Sequence, residues 1–301
     1  MTDRRHLATS IALLALCGWA FYPTVEWMLR KWQADPQYSH GFLVPIFSGF
    51  LLWRQRGSLP SWFSTPQPIL AIVLLGVIVG LRFLAGGLLF HQLDAGAMLG
   101  TLAALALMLG GSRLLRRTAP AIAFLIFMVP LPYELERNVG GPLKIAATHA
   151  STFLLQTLGL PAIAEGNLIL IDDIRLGVVD ACSGLKMLMT FAAFAVAAVL
   201  LLDRTRFEKL MILLGIVPIA VITNVLRVTA TGIGHTLVHE KAAVDFLHDL
   251  CGWLMMPTGL ALLGLQLWIL SRLVIPDQPN AQQFAYPATL AKLGQASVSA
   301  G

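Results

Sequence analysis

The sequence predicts an all-α integral membrane protein, a polytopic bundle of about eight transmembrane helices with a short extracytoplasmic β-hairpin. Three observations predict it. Residues are 57% hydrophobic and only 12% charged, against about 25% charged in a soluble domain. Mean hydropathy is +0.75. Apolar stretches of spanning length recur along the chain, and the Lys and Arg residues fall in the short segments between them. The implied environment is the lipid bilayer. Nucleic acid is not an expected partner, because the net charge of +5 includes no basic cluster with interleaved aromatics. Three widely spaced cysteines form no Cys-x-x-Cys pair, so no zinc ribbon and no cofactor are expected.

The expected spans are 7–29, 41–53, 69–90, 93–110, 118–132, 184–202, 208–230 and 249–271. The first lacks a small-residue cleavage site and reads as an uncleaved span. The second and fifth are short, as helices packed inside a bundle can be. Basic residues orient the set. Arg4 and Arg5 precede the first span. Arg54 and Arg56 follow the second, Arg113, Arg116 and Arg117 the fourth, Arg204, Arg206 and Lys209 the sixth, and Arg272 the last. Clusters after every second span put both termini in the cytoplasm; Arg30 and Lys31 are the main exception. The longest non-cytoplasmic segment is 133–183. Within it, 138–158 has the spacing of an amphipathic helix lying on the membrane surface, with Ile145, Leu154, Leu155 and Leu158 on its apolar side. Gly159 and Pro161 end that helix. Residues 167–179 read as two short strands around Asp172-Asp173. The spanning domain covers 1–275, and 276–301 form a cytoplasmic tail of disordered composition. No sequence feature sets an oligomeric state.

Three polar residues at or near span ends carry the chemistry, because ionisable groups in membrane spans are costly and usually functional. Cys182, in Ala181-Cys182-Ser183-Gly184, sits where the sixth span begins. A helix N-terminus there lowers a thiol pKa and offers free N–H groups to an oxyanion. The competing reading is a small core cysteine, which suits Cys17 well. Arg227 ends the run Thr223-Asn224-Val225-Leu226. It can hold a carboxylate or a developing oxyanion with its fork of donors, or snorkel to the interface. Asn224, one turn earlier, shares its face and is placed to orient it. His248 opens the last span and is a base of the usual type beside a thiol; the competing reading is an interfacial histidine. Asp245 and Asp249 are its nearest acidic partners, and His235 and His239 are rival histidines in a loop. Two structural alternatives involve the same residues. Cys182 and Cys251 could form a disulfide on an oxidising side, and His235, His239, His248 and Cys251 could bind zinc.

With these residues in place, the chain resembles the exosortase/archaeosortase family, bacterial branch. Tyr38-Ser39-His40-Gly41-Phe42 is similar to the family's N-terminal signature, and Pro130-Leu131-Pro132 to its Pro-rich segment. Glu165-Gly166-Asn167, Ala181-Cys182-Ser183-Gly184-Leu185, Asn224-x-x-Arg227 and His248-x-x-x-Gly252 follow in the family's order. The similarity covers about residues 30–272. The resemblance implies a membrane-embedded cysteine endopeptidase and transpeptidase of the cell inner membrane, with its site on the periplasmic side. It implies Cys182 as nucleophile, His248 as proton-transfer partner and Arg227 as transition-state stabiliser. Its substrates would be exported surface proteins whose C-terminal sorting signal is a Pro-Glu-Pro motif, a transmembrane helix and a basic tail. The archaeal branch carries a second Arg where this chain has His248. The alternative function is a non-enzymatic transporter or scaffold for polysaccharide export. It expects polar residues along the middle of the bilayer, where only Arg82 comes close. A serine protease using Ser183 would need a Gly-x-Ser-Gly, which Cys182 interrupts.

Overall fold

The computed structural model describes residues 2–56, 66–88, 90–172, 174–177, 185–237 and 240–273. The chain is largely helical, with one small sheet. Among the described residues, 3 helices are long and apolar enough to cross a membrane, or up to 4 if a bent pair is one span, with two shorter apolar helices beside them. The expected eight spans are therefore supported only as a multi-helix membrane bundle. The 276–301 tail lies outside the described residues.

The departures have local causes. The stretch at 7–29 is not one rod: α1 (Thr2–Ala20) and α2 (Tyr22–Ala34) bend by 67°. Pro23, at the start of α2, lacks the N–H that would continue the ladder. A 3-10 turn, Pro36–Phe42, leads into the short α3 (Leu43–Arg54). Helix α4 (Pro68–Leu88) packs along α5 (His91–Phe124). The expected fourth and fifth spans share α5, which breaks at Gly111 with φ 65° and ψ −158°. That backbone is one a side chain rarely adopts. A second 3-10 turn, Leu125–Met128, then leads towards α6 (Tyr133–Thr157).

Helix α6 begins before the expected surface helix at 138–158, and it is not simply laid on the membrane. It buries Ala147, Thr148, Ser151, Thr152 and Leu155 against the rest of the molecule, packing on α9 and on the sheet. Gly159, with φ 89°, closes it. The expected two-stranded hairpin is a three-stranded antiparallel meander, β1 (Ala162–Glu165), β2 (Leu168–Ile171) and β3 (Ile174–Gly177), in the order β1-β2-β3. β1 escaped notice because Ala162-Ile163-Ala164-Glu165 is short and low in β-branched residues. Gly166 and Asp172, at φ 62° and 50°, make the two turns. Ile171 pairs with Ala162, and Ile169 with Leu176. Those four side chains join Leu155 of α6 and Val228 of α9 in a buried cluster.

Helix α7 (Leu185–Leu201) follows, then α8 (Arg206–Leu214), α9 (Ile216–Leu237) and α10 (Lys241–Leu273). Thr205 starts α8 with a capping box, its hydroxyl 3.2 Å from the Glu208 N–H and its own N–H 2.9 Å from the Glu208 carboxylate. Helices α7, α8, α9 and α10 share a core of Met187, Phe191, Ile212, Ile219, Met255 and Leu263. The Arg54 guanidinium donates to the Leu201 carbonyl at 3.2 Å, the last residue of α7. Two of the expected cytoplasmic clusters are thus at one end of the bundle, and α7 runs from the sheet end to that basic end. Outward-facing Phe83, Ile69 and Trp253, each at least 80% exposed, are apolar side chains that suit lipid.

Candidate functional site

The centre of the site is one stretch of α9, flanked by α6, α7, α10 and β3. Its buried residues from 220 to 232 are Ala220, Thr223, Asn224, Arg227, Val228, Thr229, Thr231 and Gly232. They recur at helical spacing, and the flanking elements divide them. Gly232 lies under Leu155 and Ile171, where an added Cβ would come within 3.3 Å of Leu155. The bare glycine lets the sheet and α6 approach α9 closely.

Arg227 is not at the end of its helix. Helix α9 continues to Leu237, and Arg227 is 9% exposed. A snorkelling cation keeps its head in water, whereas this one is packed among helices. The guanidinium instead reaches α10: a Cβ built on Gly252 would stand 3.5 Å from Arg227 Nη2. The absent side chain at Gly252 leaves the cation room against the α10 backbone. Asn224, one turn earlier, is 2% exposed. It lines a small groove with Leu143 and Ala147 of α6, Leu188 of α7, and Val217, Ala220 and Val221 of α9. Leu188 belongs to the first turn of α7, so Asn224 and Arg227 bring that turn and the Gly252 face of α10 to one place. Thr223 donates back to the Ile219 carbonyl at 2.7 Å, and Ser151 of α6 donates to the Val225 carbonyl at 3.4 Å.

Cys182, with its neighbours 178–184, lies outside the described residues. Helix α7 begins at Leu185, three residues further along the chain. His248 does not open its helix, because α10 starts earlier, at Lys241. Position 248 precedes Gly252 by four residues and so shares that face of α10. The side chains of His248 and Asp245 lie outside the described residues. Asp249 is exposed on α10. His235 is not in a loop but in the last turn of α9, and His239 lies outside the described residues. Cys251 is a free, half-buried thiol. Among the described residues, no group of three His, Cys, Asp or Glu side chains could hold a metal ion.

A buried, desolvated guanidinium is a fixed positive charge, which binds an anion far more strongly there than it would in water.

The structure gives partners to Tyr38, which the sequence offers as a candidate supporting group beside Asp245 and Asp249, and to His40, to which sequence assigns no role of its own. Tyr38 donates to Glu136 in the first turn of α6 and accepts from the Leu131 N–H at 3.2 Å. Burial, then that bond to Glu136, pushes its phenol above the ordinary range. His40 is 4% exposed. Its Nε2 lies 3.1 Å from the Phe127 carbonyl and its Nδ1 3.0 Å from the Thr190 hydroxyl of α7. The Tyr38-Ser39-His40-Gly41-Phe42 motif was the available signal. Arg82, the span cation, is neutralised by Asp94 at 2.8 Å and lies over the Phe21 ring at 4.2 Å.

Residues 32–265 match the family model of a transmembrane exosortase. No curated protein and no solved structure matches the chain.

Proposed function

The chain belongs to the transmembrane exosortase family, and from that premise we propose that it is a membrane-embedded cysteine endopeptidase and transpeptidase acting on C-terminal sorting signals. The observation that carries the reading is the burial of Arg227 inside the bundle, against Gly252 and one turn from position 248. A buried charge is retained at a cost of several kcal/mol, and an oxyanion stabiliser gives it a use.

In this reading the Cys182 thiolate attacks the carbonyl carbon of the scissile peptide bond. The carbonyl oxygen becomes an oxyanion beside the Arg227 guanidinium, whose paired donors suit it. Collapse of the adduct breaks the C–N bond. His248 gives its proton to the departing amine, and the acyl group stays on Cys182 as a thioester. Water or an acceptor amine then attacks, returning a proton to His248 and freeing the thiolate. Asn224 positions Arg227, and Asp245 or Asp249 orients the imidazole. The substrate is an exported surface protein ending in a Pro-Glu-Pro motif, a transmembrane helix and a basic tail. Its helix lies in the inner membrane beside the bundle, with the cut site at the periplasmic interface.

The test co-expresses the chain with a tagged substrate of that design and reads substrate size. Processing lost in Cys182→Ala but kept in Cys251→Ala supports the reading. Processing kept in Cys182→Ala sinks it. No processing in wild type moves the transporter or scaffold reading forward.

A further inference from the structure

His40 is buried far from Arg227 in sequence, and its two ring nitrogens join two separate elements. The Phe127 carbonyl can only accept, so Nε2 carries the proton. Nδ1 shares a hydrogen bond with the Thr190 hydroxyl at 3.0 Å. The 3-10 turn that holds His40 is tied to the segment 128–136 by other residues. Trp32 Nε1 donates to the Met128 carbonyl at 2.9 Å, and Tyr38 bonds to Leu131 and Glu136. Gly41 sits directly under the Trp32 indole, where a Cβ would come within 2.4 Å of it. His40 extends this anchored block to α7. The next residue on α7, Phe191, lies on Gly259 of α10, where a Cβ would come within 2.0 Å of the ring. The second turn of α7 is thus held from two directions, by α10 and by the His40 block.

We propose that His40 is a positioning residue: through Thr190 it sets the rotation and axial placement of α7, and so of Leu188 against Asn224 in the groove at the candidate site. The proposal rests on the reading of Cys182 as nucleophile. Misplacement of a reacting group by about 1 Å can cost 10²-fold in rate. A bond to the second turn of the helix that follows Cys182 in the chain therefore acts on turnover without touching substrate.

The test uses the full-length protein with Cys17→Ala and Cys251→Ala, so that Cys182 is the one thiol. His40→Gln keeps a donor near Nε2 and loses the hydrogen-bonding partner at Nδ1. His40→Asn keeps an oxygen near Nδ1. Thr190→Val removes the hydroxyl at nearly constant shape. Three readouts are taken: the iodoacetamide alkylation rate of Cys182, substrate processing, and the melting midpoint in detergent. His40→Gln and Thr190→Val should each change the alkylation rate and slow processing about tenfold or more, with midpoints near the parent. The double variant should be no slower than either single one, because the two residues form one bond. His40→Asn should recover most of the rate. Parent-like alkylation and processing in Thr190→Val, additive losses in the double variant, or losses that only follow the midpoint would each overturn the proposal. If His40→Gln does not fold, Thr190→Val decides alone. Alkylation needs no substrate, so a failure of the peptidase reading is seen separately, as a parent protein that alkylates normally and processes nothing.

Discussion

At the residue scale, the site depends on one buried cation and the missing side chain opposite it. A lysine at 227 would keep the charge but not the planar fork. Arg227→Lys should leave the protein in the membrane and slow processing by about 10²-fold or more, measured as product formed against time at equal protein level. Gly252 gives the complementary test. A methyl group there meets Arg227 at an ordinary contact distance of 3.5 Å, so Gly252→Ala should retain processing. Gly252→Leu should displace the guanidinium and fall to the level of Arg227→Lys. Equal activity in all three variants would remove Arg227 from the chemistry. The Asn224-x-x-Arg227 spacing was readable because residues three apart share a helix face. That the cation turns inward to Gly252 was not, since Gly252 belongs to another helix.

At the element scale, α7 and α8 meet α10 through side chains that sit on other helices' glycines. At Gly259 the overlying group is the Phe191 ring, itself buried in the four-helix core. At Gly215 it is the end of the Gln266 side chain, which donates to the Met211 carbonyl at 2.7 Å. A ring in a packed core cannot move aside, but an amide end can rotate. Gly259→Ala should therefore cost about 1–3 kcal/mol by overpacking. Gly215→Ala should cost about 1 kcal/mol, the net value of one hydrogen bond. Melting midpoints in detergent compare the two directly. Phe191→Leu should recover part of the Gly259→Ala loss, and no recovery would mean the strain lies elsewhere. Sequence read 138–158 as a helix and named Ile145, Leu154, Leu155 and Leu158 as its apolar side, but of these only Leu155 is buried; the face that packs is built mostly of Ala147, Thr148, Ser151 and Thr152, small and polar residues that hydropathy does not mark.

At the scale of the whole molecule, Arg54 and the basic segment after α7 lie at the opposite end of α7 from the candidate site. Arg54 reaches the carbonyl end of α7, while the sheet, Tyr38 and Arg227 lie towards its beginning. The orientation that follows is testable in cells. A membrane-impermeant maleimide should label a cysteine placed at Phe90, between α4 and α5, and should spare one placed at Ser112, beside the Arg113 cluster. The reverse pattern would put the site in the cytoplasm and remove exported proteins as substrates.

Hydropathy, basic-residue spacing and ordered motifs were enough, by themselves, to determine a membrane-spanning helical protein, its family, and the placing of Asn224 and Arg227 on one helical segment and of His248 on another. These are properties of residues near one another in the chain. Tertiary structure alone decided the break between α1 and α2, the third strand, the covering of α6, the burial of Arg227 against Gly252, and the His40–Thr190 link. Each depends on partners far away in sequence, and packing energy belongs to the pair of surfaces rather than to either segment.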